Sequence, residues 1–258
     1  MGMNTPSTEQ IVHTLTHGDQ PRVWSLLVTV FGDLAQEKNA KISGYALGQL
    51  AQAIGIRPEA LRVALHRLRK DGWLESHKQG RESHHCFTEW GLAQAVAATP
   101  KIYGLTHPES AAWLCVSDRA AMPDVEGAVM LSATTRIAPQ PVQSDTVFSM
   151  PITPDMAVPD WMRDKVCDVQ NMRHAQTFLE RLQACSVLLQ DRPLLSDIDV
   201  AVLRVLVVHG WRRIVLKVPE LPTHVFPQSW AGPACRALVA QMLGMYPRVD
   251  LAALEKVG

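Results

Sequence analysis

Between positions 57 and 70 the chain sets cationic residues at spacings that bring them to one side of a helix. At roughly 100° per residue, Leu61, Ala64, Leu65 and Leu68 fall within a third of the circumference. Glu59, Arg62, Val63, His66 and Lys70 fall opposite, flanked by Arg67 and Arg69, with Arg57 at the N-terminal end. An apolar stripe must face a core. The other side then presents guanidinium groups that can pair with guanine edges through two donors, and further cations that neutralise phosphates. The bland alternative is a solvated helix surface. Glu59 accepts from cytosine or simply favours the helix N-terminus. His66 touches a base or phosphate, or points idly into solvent.

Seven Lys or Arg stand against four acids between positions 57 and 85, while the whole chain balances 25 against 25. The cationic excess is therefore local. A net charge of zero excludes a uniformly basic, histone-like binder but not a basic patch.

Further along, His209, Trp211, Arg212 and Arg213 form the best ligand candidate. Adjacent guanidinium groups can hold phosphates, and an indole can stack on an aromatic ring. The alternative is a packing Trp beside surface arginines. His84 and His85 are neighbours, so on a strand they point to opposite faces and cannot easily share a metal. Asp197 and Asp199 suit a helix N-terminus better than a paired-carboxylate site. No stretch matches Gly-x-Ser-x-Gly, His-Glu-x-x-His, a phosphate-binding loop or a dinucleotide fingerprint. No catalytic constellation is expected, and no cofactor or metal.

The elements that must hold these residues read as three regions. In the first, Ser7 and Gln10 offer a capping box to a short helix. Pro21 opens a helix bearing Val23, Trp24, Leu26, Leu27, Val30, Phe31 and Leu34 at helical spacing. Ser43 caps a helix over 44–54 that Gly55 ends, and Pro58 starts the cationic helix that Gly72 stops. Two β-prone pieces, 73–77 and 83–87, flank the tip Lys78-Gln79-Gly80-Arg81, and Thr88 caps a helix over 89–98 closed by Pro100. Three helices and a hairpin in this order are those of a winged helix-turn-helix. Its reading helix enters the major groove, and tip residues Lys78 and Arg81 touch the backbone. Ser43 and His84 join the expected DNA contacts.

The second region carries strand-like runs at 112–116, 128–132 and 146–150 between prolines. The third is helical: one helix marked by Met172 to Leu189, and one over 197–209, apolar nearly all round and so buried. A final pair covers 234–246 and 250–256. The expected partition is 7–106, 107–160 and 161–258, an α+β chain. Apolar residues make up 47% of it, which excludes general disorder. Five scattered cysteines argue against a disulfide framework. With no 18-residue apolar run and no signal-peptide core, a soluble cytoplasmic protein is expected.

Several of these stretches resemble one known family. They are the opening helix from Ser25 to Asp33, the stretch from Arg62 to Leu74, and the run Gly80-Arg81-Glu82-Ser83 with Phe87-Thr88 and Gly91. Near the other end stand His209-Gly210-Trp211-Arg212-Arg213, Leu221-Pro222, Pro227, Trp230, Gly232 and Arg236-Ala237-Leu238. Their order is that of the PaaX-type repressors of phenylacetate degradation. The resemblance implies a dimeric repressor with a double-stranded DNA operator, a small ferredoxin-like middle domain and a helical C-terminal region. It also implies an aryl-acyl-CoA inducer such as phenylacetyl-CoA. The family's middle domain has a long helix after its first strand. Here only 118–126 intervenes, with Pro123, so a truncated unit is expected. The competing functions are an acyl-CoA-handling enzyme with a winged-helix appendage, and a winged helix used as a protein-interaction module.

Overall fold

The computed structural model describes residues 5–17, 21–80, 82–104, 111–118 and 122–255. Helix α1 (Thr8–Thr16) begins in a complete capping box between Ser7 and Gln10. Helix α2 (Val23–Leu34) follows, then the two-residue strand β1 (Ile42–Ser43). Ser43 caps α3 (Gly44–Ile54), its hydroxyl accepting from the Ala46 N–H. Gly55 ends α3 at φ +83°, a backbone geometry that costs glycine no Cβ clash. Helix α4 (Pro58–Lys70) starts on Pro58, which has no N–H to leave unpaired. Strands β2 (Leu74–Gln79) and β3 (Glu82–Phe87) form an antiparallel hairpin, and β1 adds to the free side of β3.

Helix α5 (Glu89–Tyr103) is capped by Thr88 but runs through Pro100 instead of stopping before it. Its last turn is tied down from outside. Tyr103 donates to Asp33, the Ile102 carbonyl accepts from Trp211 Nε1, and the Gly104 carbonyl accepts from Arg236. Those bonds offset the one that the proline removes.

Strands β4 (Ala112–Ser117), β5 (Val129–Ser132), β6 (Thr135–Ala138) and β7 (Val147–Ile152) form a second antiparallel sheet in the order β5-β6-β4-β7. Strand β6 has no clear signal in the sequence: four residues between a turn and Pro139 carry too little alternation. No helix joins β4 to β5 or β6 to β7 among the described residues.

The remainder is helical: α6 (Asp160–Val166), α7 (Val169–Leu188), α8 (Asp197–Val215), a 3-10 turn at Thr223–Val225, α9 (Gly232–Met245) and α10 (Leu251–Leu254). Helix α8 passes the expected stop at His209 because Gly210 serves packing rather than termination. A Cβ there would collide with the Phe178 ring of α7. The fold class is α+β, with two small antiparallel sheets.

One apolar cluster unites the first and last regions. Ile11, Leu26, Phe31, Leu47 and Leu68 pack in it with Leu182, Val202, Leu206, Trp211 and Met242. A smaller cluster joins Ala112, Ile137 and Ile152 of the second sheet to Val166, Leu221 and Phe226. All five cysteines are buried and unbridged.

Candidate nucleic-acid interface

Helix α4 carries the site. Leu61, Ala64, Leu65 and Leu68 are buried, and the helix packs on α2, α3 and β2 through them. Arg57, Glu59, Arg62, Val63, His66, Arg67, Arg69 and Lys70 are all exposed. Val63 is 69% exposed. An apolar side chain so open among cations gains nothing from burial within this chain, which sets it apart from the stripe below. Arg67 is partly engaged: its guanidinium lies 3.4 Å from Asp71 and over the Trp24 ring at 4.9 Å from the centroid. Arg67, Arg69 and Lys70 also sit in the last turn, where cations favour the helix dipole.

The hairpin stands beside this helix. Leu74, Ser76 and Lys78 alternate onto one side of β2, paired across the ladder with Phe87, His85 and Ser83. The inner end of that side is buried, and the outer end exposes Lys78. His85 accordingly loses basicity, first through burial and then through the positive field of Arg69. Arg81 lies outside the described residues. Gly80 turns the tip at φ +64°.

Two expected contacts fall elsewhere. Ser43 is fully buried. Its hydroxyl caps α3 and donates to Glu255, while its N–H donates to the same carboxylate at 3.2 Å. A side chain so enclosed cannot meet a phosphate. His84 is half-buried on the opposite side of the hairpin from Lys78, with its Nδ1 enclosed and without a hydrogen-bond partner among the described residues.

The four C-terminal candidates do not make one site. The His209 Nδ1 lies 3.0 Å from Thr29 Oγ1, and burial first, then Arg212 and Arg213, push its pKa down to about 3. Trp211 is 2% exposed, donates to the Ile102 carbonyl at 3.0 Å, and already carries Arg236 over its ring. No face of that indole remains for a ligand to stack upon. Arg212 donates to the Ser25 carbonyl and to Thr29 Oγ1, and borders a mainly apolar cavity of about 180 Å³ between α2, α5 and α8. Arg213, one residue and about 100° further round the helix, opens into a different cavity. That one holds about 280 Å³ beside His174, Arg181 and Lys217. Consecutive residues on a helix diverge, so the pair cannot clamp one phosphate.

The structure adds a buried ion pair that the spacing of residues does not announce. Asp33 receives Arg204 Nε at 3.0 Å and Nη2 at 2.9 Å, and Tyr103 at 2.9 Å. Arg204 Nη1 donates to the Tyr246 and Leu243 carbonyls. The signal in the sequence is Asp33, the one acid in the apolar helix α2, and Arg204, the one base in the apolar stretch from Val200 to Val208 of α8. Lone opposite charges on buried faces require partners.

Comparison with known proteins agrees with the resemblance. A sequence model described as PaaX-like protein matches residues 22–91, and one described as PaaX-like protein C-terminal domain matches residues 168–252. The second sheet lies between the two matched stretches. The transcriptional repressor PaaX of Escherichia coli (strain K12) is 26% identical over 279 aligned residues, covering 90% of this chain and 82% of that one. Among solved structures, the uncharacterized protein Rv0674 from Mycobacterium tuberculosis aligns over 97% of this chain and 99% of its own. Its TM-score is 0.47 and its identity 17%.

Proposed function

The chain belongs to the PaaX-like family, and from that premise we propose that it is a DNA-binding transcriptional repressor and not an enzyme. One observation carries the reading: the buried stripe of α4 turns Arg57, Arg62, Val63, His66, Arg69 and Lys70 outward together. In this reading residues 7–106 are a winged helix-turn-helix, with α4 in the major groove and the β2–β3 hairpin as the wing. Arg62 pairs with a guanine edge, and Val63 meets a thymine methyl group. Lys78 and Arg81 follow the backbone. A homodimer places two such helices on successive half-sites, and the operator puts the protein in the cytoplasm.

The middle segment, 107–160, is read as a truncated ferredoxin-like unit. Strand β6 lies between β4 and β5, and β4 between β6 and β7. Split strand pairs of this kind characterise βαββαβ sheets, here with loops in place of crossover helices. Residues 161–258 form the helical effector region. Phenylacetate-type catabolism genes as the target, and an aryl-acyl-CoA as the inducer, come from the family resemblance. The cavity beside Arg212 is large enough for an aryl or short acyl group, and the cationic one beside Arg213 suits phosphates. An inducer weakens DNA binding only by preferring a conformation in which the reading helices are misplaced.

Titration of the full chain with DNA from upstream of its own gene tests the reading. Arg62→Ala is expected to cost about 1–3 kcal/mol and to relax preference at one base position. Lys78→Ala is expected to weaken all sequences alike and to flatten the salt slope by roughly 0.9 for each phosphate no longer neutralised. If Arg62→Ala binds the DNA as the parent does, α4 is not the reading helix.

A further inference from the structure

The side of the β2–β3 hairpin that faces the segment before β1 and the start of α5 holds a cluster that the DNA-binding reading leaves unused. Glu75 and Cys86 are direct partners across the ladder, and His77 follows Glu75 by two residues, so all three share that side. Their ligand atoms lie within 4.8 Å of one another. Glu75 Oε1 is 3.2 Å from His77 Nε2 and 3.5 Å from Cys86 Sγ.

Those separations are the lengths of two hydrogen bonds onto Glu75, and they also suit the coordination shell of a metal. Zinc bonds to carboxylate oxygen and imidazole nitrogen at roughly 2.0–2.2 Å and to thiolate at roughly 2.3 Å, arranged tetrahedrally. The edges of such a tetrahedron are then about 3.4 Å from nitrogen to oxygen and about 3.6 Å from sulfur to oxygen. The oxygen-centred edges of this cluster already match both. We propose that Glu75, His77 and Cys86 bind a divalent zinc-class cation that staples β2 to β3.

The ligand set of one sulfur, one nitrogen and one oxygen selects zinc over magnesium or calcium, which prefer oxygen throughout. Binding exchanges the Cys86 thiol proton for the metal, and that proton leaves to solvent. Burial and the neighbouring Glu75 carboxylate raise the Cys86 thiol above its ordinary value, so uptake strengthens as pH rises. The fourth position of a three-ligand site is open to water. Exposed Lys41 acts electrostatically on both Glu75 and Cys86. It opposes the cation, and its flexible stem lets the ammonium withdraw into solvent.

The test does not depend on DNA binding. The reduced full-length chain, stripped with a chelator, is titrated with cobalt(II) as a spectroscopic probe. One equivalent is expected to give a thiolate-to-cobalt charge-transfer band and tetrahedral d–d bands, which zinc then erases. Cys86→Ser is expected to abolish the charge-transfer band, whereas Cys115→Ser, a thiol of the second sheet, leaves it intact. His77→Ala, at an exposed position, is expected to weaken zinc binding at least tenfold while the metal-free protein melts like the parent. Absence of the bands in the parent, their survival in Cys86→Ser, or unchanged zinc affinity in His77→Ala overturns the proposal.

Discussion

His209 shows how a single side chain can look like a binding group and act as a structural one. Its ring is buried against Thr29 with two arginines nearby, which holds it neutral with a pKa of about 3. In the unfolded chain the same imidazole titrates near 6.5. Between those two values the unfolded state binds a proton that the native state refuses, so stability falls as pH drops below 6.5. One such group contributes a slope approaching about 1.4 kcal/mol per pH unit. Urea unfolding at pH 7 and pH 5 is expected to show this loss, and His209→Gln is expected to lose less than the parent over the same interval. Equal losses in the two proteins would mean that the imidazole is not held neutral in the fold. Arg212 illustrates the same lesson in part, since its guanidinium both supports α2 and edges a cavity.

Local elements owe their exact placement to a few close approaches. The start of α5 lies against the turn before β2, where Thr88 donates to the Gly72 carbonyl and its N–H donates to the Trp73 carbonyl. A Cβ on Gly91 would collide with the Trp73 carbonyl oxygen, a backbone atom that cannot swing aside. Gly91→Ala is therefore expected to cost at least about 1–3 kcal/mol, read as a shifted urea midpoint with an unchanged slope. A midpoint equal to the parent's would show that α5 does not pack there. Because this junction seats the hairpin on the helices, the same variant should loosen the proposed wing.

At the scale of the whole molecule, the first and last regions share one apolar core. Asp33 and Arg204 are 171 positions apart in sequence and almost wholly buried. Removing one member of such a pair strands a charge, at a cost of about 3–5 kcal/mol. Asp33→Ala is expected to lose that much, with helix content and tryptophan fluorescence falling in one coincident transition. Two separate transitions in the parent would show that the regions unfold independently. The cavity bordered by α2, α5 and α8 spans the same junction, and the proposed effector is expected to act there. A true inducer at 100 times its dissociation constant is expected to add about 2.7 kcal/mol of stability, visible as a rise in Tm. If no CoA thioester or free aromatic acid shifts the Tm, the effector reading fails.

The face of α4 was legible in the amino-acid order alone, because a regular helix converts spacing directly into direction. The caps at Ser7, Ser43 and Thr88, and the turn at Gly55, were legible for a related reason, since each acts over three or four residues. The family, too, follows from the order of motifs along the chain. Tertiary structure decided everything that depends on which surfaces meet. It placed Ser43 beneath Glu255, turned Trp211 inward, sent Arg212 and Arg213 into different cavities and carried α5 through Pro100. It also joined Asp33 to Arg204, and set Cys86 beside Glu75 and His77. Local rules report a residue's direction relative to its own helix or strand. They hold no information about the partner that arrives from a hundred positions away, and that partner determines whether a polar group faces water, a ligand or another side chain.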